Sequence, residues 1–371
     1  MAIVKVSAGN YAYKVKYKGF DGKIKSKYKS GFSTIKSCRK AEEAFLLSTK
    51  EHDDEITFEE LVMLFNERSS SMNIKESTIV GYEVYYKNHL KDFFGSKKIS
   101  RINVEMIEQW KTEMIKKRMP NGKEYSASTI NHAMNVLSKY LSYAEKLSMI
   151  QMNPCRKVSR YINHEEIINK NNEEKNFWEN DDFKTFISYV EDQYWNLVFT
   201  FLYETGVREG EMFALTWNDV DFNNGTISIN KSITSKTHQN RYKITTPKNS
   251  NSYRTIDLSD SFLNRLKDHY ERQKNKDGYN DSYFVFGDIR PLSRSSLARY
   301  LDKYIKVSGV KRITPHGFRH SHATFLISNR VDDTLIAERL GHTVNELRKT
   351  YAHVYKSMRN DMKNKLNELY S

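Results

Sequence analysis

Residue periodicity changes twice along this chain, and no single repetitive fold accommodates the change. Near the N-terminus Tyr11, Tyr13, Val15 and Tyr17 alternate with Lys14, Lys16 and Lys18, the period-two pattern of a strand. Asp21 followed by Gly22 is a hairpin turn, and a second strand follows with Lys23, Lys25, Lys27 and Lys29 on one face and Ile24 and Tyr28 on the other. Ser37 is placed to cap a short helix carrying Ala41, Ala44 and Phe45. The pattern predicts a small sheet-plus-helix domain over 1–50, with one lysine-coated face and one aromatic face. The acidic run 51–56 reads as a linker. From residue 57 the period becomes helical: Thr57 and Glu60 form a capping box, and helices are expected over 82–94, 104–117 and 128–147. Asn153 before Pro154 closes this helical block, 57–155. The polar stretch 156–176 reads as a hinge. Beyond it the pattern is mixed, with helices expected over 181–190, 195–204, 261–275, 293–308, 315–328, 332–340 and 343–351, and strands over 226–230, 242–246 and 253–258.

Charge narrows the partner. The chain has 371 residues with 60 Lys and Arg against 46 Asp and Glu, a net charge of +14. The first 40 residues hold ten Lys and one Arg against the single acid Asp21. Such an excess calls for a polyanion, and a basic sheet face is a surface that can be laid on DNA. No segment approaches the ~18 consecutive apolar residues of a membrane span, and the opening MAIVKVSAGNYAYK lacks the apolar run of a secretory leader. Nucleic acid is therefore preferred over a membrane. Cys38 and Cys155 make no CxxC pair, which argues against a disulfide framework or a cysteine zinc site.

No phosphate-loop motif and no HExxH are present. His316, His320 and His322 cluster, but Arg319 lies among them and no carboxylates join, so no metal site is expected. The same region suits an anion. Arg208 sits in TGVREGE with Glu211 one helical turn on, and Arg319 follows His316 at helical spacing in TPHGFRH. His342 follows Gly341 at a helix end, and Thr343 with Glu346 starts a helix that reaches Tyr351. Two arginines, two histidines and a tyrosine match the needs of a pentacoordinate phosphoryl transition state: guanidinium forks, proton carriers and a nucleophile. Taken singly, each residue has a commoner structural reading, an arginine as a surface ion pair and a tyrosine as core.

Read in order, the motifs resemble the catalytic domain of tyrosine recombinases, relatives of type IB topoisomerases. TGVREGEMFALTW resembles the first arginine box, TPKNSNSYRTIDL the hairpin with the catalytic lysine, HGFRHSHAT the HxxR box, LGH the third box and TYAHVY the nucleophile box. The resemblance implies Arg208, Lys248, His316, Arg319, His342 and Tyr351 as catalytic residues and Glu211 as a supporting acid, with Tyr355 a competing tyrosine at the wrong spacing. It implies an α+β multidomain fold: a small β-sheet-plus-helix arm-binding domain (1–50), a helical SAM-like core-binding domain (57–155) and a mixed α/β catalytic domain (177–371) with a C-terminal tail. The arm lysines Lys14, Lys16, Lys18, Lys23, Lys25, Lys27 and Lys29 are the expected DNA contacts. In the implied reaction Arg208, Arg319 and His342 hold the scissile phosphate, His316 assists the tyrosine proton, Lys248 protonates the leaving 5′-oxygen and Tyr351 forms a 3′-phosphotyrosyl bond. No cofactor, metal or ATP is expected. Partners implied are double-stranded DNA at core-type and arm-type sites and a homotetramer, with room for an excisionase and a host DNA-bending protein, in the cytoplasm of a bacterial host, at its nucleoid. A type IB topoisomerase and a non-catalytic architectural protein are the alternatives.

Overall fold

Three antiparallel strands open the chain, β1 (Ala2–Ser7), β2 (Asn10–Lys18) and β3 (Ile24–Phe32), in the order β1-β2-β3, followed by α1 (Ile35–Glu51). Cys38 on α1 packs with Tyr13 and Val15, joined by Ala41 and Phe45. The computed structural model describes residues 2–7, 9–18, 24–51, 56–167, 176–238, 241–246, 252–352, 354–355 and 366–371. They form two compact units, Met1–Glu173 and Glu174–Ser371, and the division falls inside the polar run 156–176.

The expected single lysine face does not form. Directly paired residues of antiparallel strands share a face. Lys14 pairs with Tyr28 and Lys16 with Ser26, whereas Lys27 pairs with Val15 and Lys29 with Tyr13. Lys14 and Lys16 therefore stand with Tyr28 on the face opposite α1. Lys27 and Lys29 lie at the margin of the α1 face, with their ammonium groups 6.0 Å from the Phe45 ring and 5.9 Å from the Phe32 ring. The cause is register: even positions of β2 meet even positions of β3, so the odd-numbered lysines of β3 align with the odd-numbered apolar residues of β2. The backbone register likewise pairs Lys25 with Tyr17 and Lys18 with Ile24; Lys23 lies outside the described residues. The cap of α1 also differs from expectation. Thr34 Oγ1 accepts the Ser37 N–H (3.1 Å), so Thr34 caps the helix and Ser37 lies within its first turn.

The rest of the first unit is helical: α2 (Phe58–Glu67), α3 (Glu76–Tyr85), α4 (Val104–Lys116) and α5 (Ala127–Lys146). The Thr57 capping box is present. The helix expected over 82–94 begins earlier, at Glu76, and passes through a π-turn at Tyr86–Leu90 into a last turn, Lys91–Phe94. Phe58, Phe65, Trp110, Leu137 and Tyr140 fill its core, where Tyr140 meets Phe58 and Phe65 edge-on at 5.8 and 5.0 Å.

The second unit sets helices around a small sheet. In order come α6 (Asn180–Ser188), α7 (Gln193–Thr205), α8 (Glu209–Ala214), β4 (Val220–Asp221), β5 (Thr226–Ile229), β6 (Ser232–Thr234), β7 (Lys243–Thr245), β8 (Arg254–Asp257), α9 (Asp260–Lys274), α10 (Arg294–Ser308), α11 (Pro315–Ser328), α12 (Asp333–Leu340) and α13 (Val344–Thr350). Strands β4-β5-β8 form one antiparallel sheet, and β6-β7 form a separate hairpin. α7 is buried nearly all round, and its Phe199 stacks on Phe318 of α11 (5.8 Å), fixing the central pair of helices. No helix among the described residues is long and apolar enough to cross a membrane.

Candidate active site

The site is built where three helix ends meet. α7 ends at Gly206, in the left-handed region at φ 62°. A Cβ there would come within 2.6 Å of the His322 ring and 2.9 Å of Leu340, so glycine alone suits both the torsion and the space. Arg208 follows as N-cap of α8. Its backbone N–H donates to Glu211 Oε2 and its Nη1 to Oε1, both at 2.9 Å. Gly210 lets α8 approach β6: a Cβ would meet Ser232 Oγ at 2.7 Å and the Ile233 carbonyl at 2.8 Å.

Arg319, on α11, is 1% exposed. Its Nη1 donates to the Gly206 carbonyl (2.8 Å) and its Nη2 to the Leu340 carbonyl (2.5 Å) and to His342 Nε2 (2.8 Å). α12 stops at Gly341, again left-handed (φ 66°), and this turn presents the Leu340 carbonyl inward and places His342. Because His342 Nε2 accepts from Arg319, the ring proton belongs on Nδ1, which is buried with no hydrogen-bond partner among the described residues.

One residue of this cluster was not singled out from the sequence. Arg254 on β8, with its side chain 2% exposed, donates from Nη2 to Glu211 Oε2 (2.8 Å), from Nη1 to Oε1 (3.3 Å) and from Nε to the Arg339 carbonyl (2.7 Å). Burial alone would raise the Glu211 carboxyl, but hydrogen bonding and charge from Arg254, then Arg208, hold it below the usual carboxylate range. Arg319 is lowered to about 9 by burial and then by Arg208, so it stays a cation at neutral pH. Two guanidiniums, those of Arg208 and Arg254, thus share one carboxylate, and Arg319 lies near enough to feel its charge. That surplus of positive charge, partly open at Arg208 (side chain 37% exposed), is an anion site.

Tyr351 lies beside it, immediately after α13, and is 1% exposed among Ala323, Ile327, Ile336, Leu340, Leu347 and Val354. Burial pushes its hydroxyl up to about 12, with Arg319 pulling the other way. The hydroxyl shares a 3.1 Å hydrogen bond with His320 Nδ1. His316 packs edge-on against His320, with ring centroids 4.7 Å apart. Although His316 is exposed, desolvation by its surroundings and then His320, Arg319 and Arg208 push it down to about 4. His342 is lowered to about 4 by burial, then Arg319 and Arg208. The structure therefore gathers Arg208, Glu211, His316, Arg319, His342 and Tyr351 into one electrostatic cluster. Sequence reading missed Arg254 and the contact of His320 with the tyrosine; the usable signals were the arginine of YRTIDL and the i, i+4 spacing of His316 and His320. Tyr355 is committed elsewhere, its hydroxyl donating to Asp333 (2.5 Å). Lys248 lies outside the described residues. Lys231, in the link between β5 and β6, bonds to Asp219 and Thr216.

Comparison with known proteins gives the chain a family. The family model described as "Phage integrase family" matches residues 176–358, and that described as "Phage integrase, N-terminal SAM-like domain" matches 57–115. The ICEBs1 integrase of Bacillus subtilis (strain 168) is 30% identical over 301 residues, 77% of this chain and 78% of that protein. The chain belongs to the phage integrase family of tyrosine recombinases. It is a site-specific recombinase of mixed helix-and-sheet fold with a SAM-like helical domain. A XerC-like tyrosine recombinase of Caldanaerobacter subterraneus is 26% identical to this integrase over 322 residues, 81% of the chain and 80% of that protein. Among solved structures, a Tn1549 transposon integrase fragment in complex with transposon right end DNA superposes with a TM-score of 0.65 at 22% identity, covering 83% of this chain and 99% of that one. A lambda integrase dimer bound to a COC′ core site superposes with a TM-score of 0.58 at 18% identity, covering 93% and 94%.

Proposed function

We propose that this integrase moves a mobile element into and out of bacterial DNA, cutting and rejoining each strand through a 3′-phosphotyrosyl bond to Tyr351. The observation that carries the reading is the group of Arg208 and Arg254 on the buried Glu211 carboxylate with Arg319 nearby, set against the Tyr351–His320 pair. Arg208 and Arg319 take the non-bridging oxygens of the scissile phosphate, and His342 contributes its unpartnered Nδ1–H. Glu211 and Arg254 fix Arg208 from behind. The tyrosine proton goes to the side of the cluster where His316 packs on His320, and Lys248 protonates the departing 5′-oxygen. Because the phosphotyrosyl ester retains the energy of the phosphodiester, neither a metal nor ATP is needed.

The reading extends to the whole chain. Residues 1–50 bind arm-type sites, 57–155 bind core-type sites and 177–371 cut. Four protomers assemble on two sites in the host cytoplasm, at the nucleoid, with an excisionase and a DNA-bending protein as accessory partners. A solved lambda integrase tetramer bound to a Holliday junction lends support through its shared fold. Incubation with nicked suicide DNA tests the chemistry. The parent should give an SDS-resistant protein–DNA adduct, and Tyr351→Phe should bind equally well and give none. Relaxation of supercoiled plasmid without recombination between two sites would favour a topoisomerase, and absence of any adduct an architectural protein.

A further inference from the structure

The Tyr351 proton needs a specific destination. α11 places His316 and His320 four residues apart, on one helical face, with Arg319 beside them. Of the two histidines, His320 is the one that touches the nucleophile: its Nδ1 is 3.1 Å from the Tyr351 hydroxyl, and the rings meet edge-on with centroids 5.6 Å apart. This is the hydrogen bond described for that hydroxyl, on a residue packed in an aliphatic cluster. With the ring proton on Nε2, Nδ1 is an acceptor aimed at the phenol.

We propose that His320, rather than His316, is the catalytic residue that takes the Tyr351 proton during strand cleavage. This rests on Tyr351 being the nucleophile. The Tyr351 Oη–phosphorus bond forms as the bond from phosphorus to the 5′-oxygen breaks. The phenol proton passes to His320 Nδ1, giving an imidazolium, and the 5′-oxygen receives a proton from the acid assigned to Lys248. Rejoining runs the same steps in reverse. A phenol raised to about 12 gives little phenolate near neutral pH and so needs a base at contact. His316, held near 4, is a poor proton acceptor there. It serves instead as the edge-on wall that orients the His320 ring.

The test uses the full chain with nicked suicide DNA. His320→Asn sets an amide about where Nδ1 stood, so a hydrogen bond survives but a proton cannot be accepted. Its adduct formation should fall by about 10²–10⁴-fold, with single-site DNA binding and the thermal midpoint held at parental values. Replacing Tyr351 by difluorotyrosine, a more acidic phenol, should restore most of that loss in His320→Asn while changing the parent little. His320→Asn cutting at the parental rate would reduce His320 to a hydrogen-bond prop and overturn the proposal. A loss that difluorotyrosine does not restore would overturn it equally, leaving a structural role. An adduct formed by Tyr351→Phe is a separate failure: it would remove the nucleophile assignment itself.

Discussion

Replacing Arg254 by methionine should unsettle the catalytic unit and little else. The guanidinium makes two hydrogen bonds to Glu211, one to the Arg339 carbonyl and one to the Ser252 carbonyl. Methionine roughly fills the volume but leaves Glu211, 4% exposed, with Arg208 as its one ion-pair partner among the described residues. Removing one partner of a buried ion pair costs about 3–5 kcal/mol. Since Arg208 still holds both carboxylate oxygens, one through Nη1 and the other through its backbone N–H, the lower end, about 3 kcal/mol, applies. For a unit of roughly 200 residues, each kcal/mol moves the midpoint by about 2–4 °C, so a fall of about 6–12 °C is expected. Tryptophan fluorescence on heating follows this unit, because Trp178, Trp195 and Trp217 lie in it and only Trp110 lies in the first. Adding Glu211→Gln should return at least about 1 kcal/mol relative to the sum of the single changes, because the stranded charge is gone. Arg254→Met within about 1 kcal/mol of the parent, or strictly additive losses, would refute the account of one carboxylate neutralised chiefly from β8.

Further outcomes follow from other parts of the structure. Gly206→Ala should cost about 1–2 kcal/mol for the left-handed backbone and about 1–3 kcal/mol for overpacking against His322 and Leu340. Chemical denaturation reads that loss, and adduct formation should fall with it because the Gly206 carbonyl anchors Arg319. His322 and His342, held to about 3 and about 4 mainly by burial, leave the folded protein with fewer bound protons than the unfolded chain up to about pH 6.5. Stability should therefore fall as pH drops from 6.5 towards 4, whereas Glu211, with a depressed value, adds its loss only at lower pH; a thermal midpoint constant between pH 7 and 5 would contradict this. Lys14→Ala with Lys16→Ala should reduce the salt slope of arm-site binding by about 1.8, at ~0.9 per phosphate contact, and Lys27→Ala with Lys29→Ala should reduce it less. Lys248→Ala should cut slowly on ordinary DNA and recover on a substrate with sulfur at the 5′-bridging position, read as adduct yield over time.

What the sequence disclosed was whatever local spacing encodes. Arg208 and Glu211, and Thr343 and Glu346, are capping pairs three residues apart, so their contacts could be read from the chain. His316, Arg319, His342 and Tyr351 were found by motif order, and the fold then brought them together. Arg254 and Glu211 are 43 residues apart and meet only side chain to side chain in the tertiary fold, which no periodicity announces. Alternation within each strand is legible, but the parity of the pairing between β2 and β3, which splits the lysines between faces, is not. Ser37 precedes the apolar run and so looks like the cap, but the helix starts earlier, since Thr34 accepts the N–H three residues on.

The helix carrying the proposed nucleophile stops at Tyr351, whose torsions (φ −105°, ψ 21°) leave the α region. The tyrosine therefore stands at a joint, and its side chain can swing without melting α13. The restraint on that swing is burial. Withdrawing a large side chain from an apolar cluster costs about 1.5–3 kcal/mol. A gap of that size leaves the hydroxyl presented in roughly one free molecule in ten to one in a hundred and fifty. On the proposed assignment, a protein that meets stray phosphodiesters all along a chromosome thereby keeps its tyrosine covered most of the time, and the contacts made at a correct site supply the energy that uncovers it.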